Sequence, residues 1–106
     1  MAKYLFIGSY TAEGARGLLK DGGSGRRKVA EEVVRSLGGT VEAYYFAFGS
    51  DDFYLLADLP DHAAAAALSL TVGSSGAVSV RTVVLMTPEE VDAATQRSVP
   101  YRPPGA

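Results

Sequence analysis

There is no cysteine in this 106-residue chain. Its absence removes disulfides, thiolate catalysis, cysteine-based zinc sites and iron–sulfur ligation together, and it fits a chain kept in the reducing cytoplasm. Histidine occurs once, at His62. A transition-metal site would therefore need carboxylates or a second subunit to complete it, and no metal or cofactor is expected. Charge of one sign is lacking too: 10 Lys and Arg stand against 12 Asp and Glu, a formal charge of −2. That balance names neither nucleic acid nor an anionic membrane as a partner. Nor is there a long hydrophobic run. The apolar stretch in "MAKYLFIGSY" ends at Gly8-Ser9, too short for a signal-peptide core or a membrane span, and reads as a first strand. Proline is sparse, and three of the five fall in the tail "VPYRPPGA". That tail is expected to be extended, either free or laid across a neighbouring subunit.

What is present looks like one ordinary folded domain. Hydrophobic residues make up 47% and charged residues 21%, close to the averages for globular proteins, and the length suits a single core. Residues 1–97 are expected to form that domain and 98–106 a Pro-rich tail. "YLFIGSY", residues 4–10, is rich in β-formers with apolar side chains on both faces, as in a strand covered on two sides. Thr11 can cap a short helical turn that Asp21-Gly22-Gly23-Ser24-Gly25 should break. From Ser24, Val29, Val33 and Leu37 recur at a spacing of four, beside Ala30 and Val34, which predicts an amphipathic helix ended by Gly38-Gly39. Its opposite face carries Arg27, Glu31 and Arg35 and reads as solvated.

"TVEAYYFAF" and "DFYLLADL" are two strands joined by a short Gly-Ser-Asp loop. Pro60-Asp61 then opens an alanine helix, "HAAAAALSLTV", and residues 77–86, "AVSVRTVVLM", form a fourth strand. Thr87-Pro88-Glu89-Glu90 is the signature of a capped last helix. The order strand, helix, strand, strand, helix, strand is the split β-α-β pattern. It predicts an α+β, ferredoxin-like sandwich: a four-stranded antiparallel sheet with helices on one face and an extra C-terminal helix. Strand alternation leaves the second sheet face largely apolar, and a patch of that kind marks association. We expect it to pack on another copy, forming a closed dimeric α/β barrel or a larger ring, with Val80 and Val84 of the fourth strand as positions to test at that interface.

From "YTAEGARGLLKDGGSGRR" through "SLGGTVEAYYFAFGSDDFYLLADLPDHAAAAALSLTVGSSGAVSVRTVVLMTPEE", the chain resembles the GYD-domain family, small α+β proteins of unknown biochemical function grouped with the dimeric α/β barrels. The resemblance spans residues 4–91. The family motif runs Gly, a variable residue, Tyr, Asp, then an apolar residue; Gly49, Asp52 and Phe53 fit it, while Asp51 stands where the tyrosine is usual. The resemblance implies a fold and self-association, not a chemistry.

Several residues are candidates for a site, each with a plainer reading beside it. Asp51 and Asp52 can share a proton or hold a cation, yet aspartate is also a turn former, and the loop offers too few oxygens for a calcium or magnesium shell. His62 can serve as a general base or simply stand exposed at a helix start. His62, Asp52 and Tyr45 are the catalytic candidates, and Tyr10, Tyr54, Asp58 and Arg81 the polar tips that would bind a ligand among the aromatic residues. "KDGGSGRRK", residues 20–28, puts glycines and cations before a helix and suits an anion, or is only a connector. The sequence supports two functions of different class. One is a homo-oligomeric structural or small-ligand-binding module; the other is a cofactor-free oxygenase or isomerase acting on a small aromatic or quinonoid metabolite.

Overall fold

A computed structural model describes all of residues 1–106. Seven elements follow one another: β1 (Ala2–Tyr10), α1 (Ala12–Ser36), β2 (Thr40–Phe46), β3 (Phe53–Leu59), α2 (His62–Ser74), β4 (Val78–Leu85) and α3 (Pro88–Thr95). The strands form one sheet in the order β2-β3-β1-β4, and every neighbouring pair is antiparallel. Each helix starts where a side chain takes up its free amides: the Thr11 hydroxyl accepts from Gly14 N–H at 3.2 Å, and the Asp61 carboxylate from Ala64 N–H at 2.8 Å. The third helix begins in a full capping box between Thr87 and Glu90.

The core lies between the sheet and the two long helices. Tyr4 and Phe6 of β1, Leu55, Ala57 and Leu59 of β3, Val34 of α1, and Ala65 and Leu68 of α2 are all buried there. Alternation along β1 sends Tyr4, Phe6 and Gly8 to this side and Lys3, Leu5 and Ile7 to the other. At Gly8 an added Cβ would lie 2.0 Å from the Phe53 ring, so the missing side chain is what lets that ring lie across β1. The Ser69 and Thr82 hydroxyls bond to each other and tie α2 to β4.

Two local expectations change, and one strand departs from simple alternation. The break at residues 21–25 shrinks to one residue: Gly22 alone leaves the helical region, at φ 76° and ψ 166°, and α1 continues beyond it as a kinked helix. In β2, a bulge between Val41 and Ala43 makes Glu42 an extra residue. Val41 therefore shares the helix side with Tyr44 and Phe46 rather than lying with Ala43 and Tyr45. In β4, Val80 sits opposite Gly8 and packs against the core beneath the helices, and Val84, opposite Tyr4, points to the same side, so neither belongs to the open face. The outward positions of β4 are Ser79, Arg81, Val83 and Leu85, alternating with them.

Candidate functional site

The Asp51-Asp52 pair staples the β2–β3 loop to the sheet. The Asp52 carboxylate accepts from the Tyr10 backbone N–H at 2.7 Å, while its own N–H donates to the Gly8 carbonyl at 2.8 Å. Asp51 accepts from the Ser9 hydroxyl at 3.3 Å and from the Arg81 guanidinium at 3.0 Å. Both acids are thus occupied in holding a turn against β1 and β4.

His62, the first residue of α2, places Nδ1 2.6 Å from the hydroxyl of Tyr4, a residue only 1% exposed. The imidazole gives a buried phenol its polar partner. The three catalytic candidates are therefore kept apart. His62 stands at the Tyr4 end of β1 and Asp52 at the Tyr10 end, about 20 Å away along the strand, and Tyr45 faces away from the helices. No group of three or more metal-ligating side chains comes together anywhere.

Two surfaces remain. The first is the sheet face without helices. Ala43, Leu56, Leu5 and Val83 form one cross-strand row, and Tyr45, Tyr54, Ile7 and Arg81 the next. Of these, Tyr45 is 71% exposed, Val83 38% and Tyr54 37%. Charges close both ends of this apolar band. Lys3 bridges Glu42 at 2.6 Å and Asp58 at 3.1 Å, carboxylates that, Glu42 first, raise its pKa. Arg81 pairs with Asp51 at the far end. Tyr54, Asp58 and Arg81 thus share a face, and Tyr10 does not.

The second surface is the helix side around Tyr10. Helix α1 lies mainly over β2 and α2 mainly over β4. The middle of the sheet is left under a groove containing a cavity of about 70 Å³. Tyr10 and Tyr44 line it, with Phe53 stacked on Tyr44 at 5.6 Å and Arg26 of α1 at the rim. Burial, with help from the neighbouring Tyr10 phenol, pushes the Tyr44 pKa up against the opposing pull of Arg26. Arg26 belongs to the stretch 20–28 that the sequence offered as an anion site or a connector, and Tyr44 to the aromatic residues, but neither was singled out as a site residue. The signal for Arg26 is its spacing: three, four and seven residues before Val29, Ala30 and Val33, it lies on the apolar stripe of α1.

A four-stranded antiparallel sheet in this order, with two helices on one face, defines a small α+β protein of ferredoxin-like topology. The profile of the GYD domain matches residues 4–95, and the chain belongs to the GYD-domain family. No curated protein and no solved structure matches it. No helix is long and apolar enough to cross a membrane.

Proposed function

We propose that the chain works as a self-associating module, two copies packing their open sheet faces into a closed barrel of the dimeric α/β type. The observation that carries this reading is surface left uncovered. A compact monomer of this mass exposes about 5,700 Å², whereas this chain exposes 7214 Å². The excess of about 1,500 Å² exceeds the roughly 800 Å² that each partner gives to a standard interface. Part of it is the apolar band of Leu5, Leu56, Val83 and their neighbours; part is α3 and the tail, in which every residue is exposed. In this reading the domain ends near residue 97, and residues 98–106 lie on the neighbouring copy, with Tyr101 and Val99 as its apolar contacts.

Catalysis by a cofactor-free oxygenase or isomerase needs proton-handling groups around one void. With His62, Asp52 and Tyr45 in three separate places, association is the reading we adopt. Its test is a pair of outward substitutions, Val83→Asp and Tyr45→Lys, each measured by light scattering after size exclusion. Both are expected to halve the assembly mass while far-ultraviolet circular dichroism stays unchanged, since burying an unpaired charge at an interface is strongly unfavourable. Unchanged mass in both variants would move the interface off this face.

A further inference from the structure

On the other side of the sheet the two helices leave a groove that self-association does not use. Its floor is Phe6, Phe53 and Leu55; its walls are Val33 from α1 and Leu68 and Val72 from α2. The void of about 70 Å³ is about half the roughly 150 Å³ that holds benzene in an engineered core. It has room for an apolar group of about three or four carbons. With this apolar lining it stays dry until something apolar enters.

The rim is different in kind. Arg26, Tyr10 and Tyr44 meet there, and all three side chains carry donors. No carboxylate lines the cavity. The one acid that reaches Arg26 is Asp21, at 3.5 Å between half-exposed side chains, a contact of little net strength that an incoming anion can displace. The Tyr44 phenol stays protonated and so remains a donor. Two open clefts, of about 690 and 500 Å³, also reach Tyr10, the first with Asp52 and the second with Glu13 and Asp21 in its wall.

We propose that this groove is a binding site for a small aliphatic carboxylate, its branched apolar body in the void and its carboxylate held by Arg26 and the Tyr10 and Tyr44 hydroxyls. A guanidinium fork takes a carboxylate through two parallel hydrogen bonds, and the phenols add donors at the rim. The cations of residues 20–28 thus act through Arg26, from the apolar stripe of the helix, and not through a glycine loop at a helix start. The site lies across the sheet from the self-association face and does not depend on it.

The test titrates isovalerate and its amide into the isotope-labelled full chain and follows amide chemical shifts, with the assembly mass recorded on the same sample. Isovalerate is expected to shift Tyr10, Tyr44 and Val33, and the amide to bind about tenfold more weakly. Arg26→Gln should erase the preference for acid over amide. Ala30→Leu, which fills the void from α1, should abolish binding with Tm unchanged or raised. If that variant fails to fold, Leu68→Phe makes the same test from α2. Equal binding of acid and amide to the unaltered chain would overturn the carboxylate site, as would no shift at millimolar isovalerate or shifts confined to the outer face of α1. A monomeric mass beside specific isovalerate binding would sink the association reading alone.

Discussion

Two residues, His62 at the start of α2 and Tyr44 of β2, each make a prediction. Removing His62 leaves the Tyr4 hydroxyl buried without its partner. His62→Ala is expected to lower stability by about 1–3 kcal/mol, and adding Tyr4→Phe to restore most of it, because deleting both partners removes the unpaired group as well. Thermal unfolding of the two variants measures this; equal losses would show that the bond carries nothing. Tyr44 predicts a pH dependence. Burial keeps its folded pKa above the ordinary 10.0, so its share of stability is intact below that value. As pH rises past it the unfolded chain sheds the proton first, and stability falls. Denaturant midpoints on both sides of that pH, in the unaltered chain and in Tyr44→Phe, test it: the variant should show the shallower decline. At this scale the sequence was legible where chemistry is local. The turn role of Asp52 and the cap formed by Asp61 can be read from residue type. The pairing of His62 with Tyr4 joins positions 58 apart in sequence, and no local pattern records it.

Among the elements, α3 behaves unlike the rest. It has the most complete N-terminal cap of the three helices, yet none of its residues is buried. A helix of eight residues is too short to persist alone in water, and in the proposed assembly its order comes from packing on a second copy. Amide exchange in residues 88–95 is expected to be slow in the assembled protein and to rise to the rate of an open chain in Val83→Asp. Equal protection in both would tie α3 to its own subunit or to intrinsic stability. Strand and helix order was readable throughout, because alternation, alanine content and turn residues agree along most of the chain. Two departures have physical causes outside periodicity. The β2 bulge shifts faces by inserting Glu42, which then reaches Lys3. The α1 kink confines a five-residue break signal to Gly22, and Gly23 next to it lies close against Phe46. The groove was hidden for a similar reason: that α1 packs on β2 and α2 on β4 is a property of the fold, and Arg26 gains meaning only once the groove between them exists.

For the whole molecule, shape carries the main claim. The radius of gyration is 16.9 Å, against about 13 Å for a compact domain of this length, and only 14 of 106 residues are buried. A core this small leaves the free subunit marginal, so association and stability should be linked, with Tm rising as protein concentration rises. The most direct measurement is native mass spectrometry of the unaltered protein at micromolar concentration. The account predicts a dimer, twice the 11.1 kDa of one chain, or a larger even multiple. A single species at 11.1 kDa across the concentration range would contradict it.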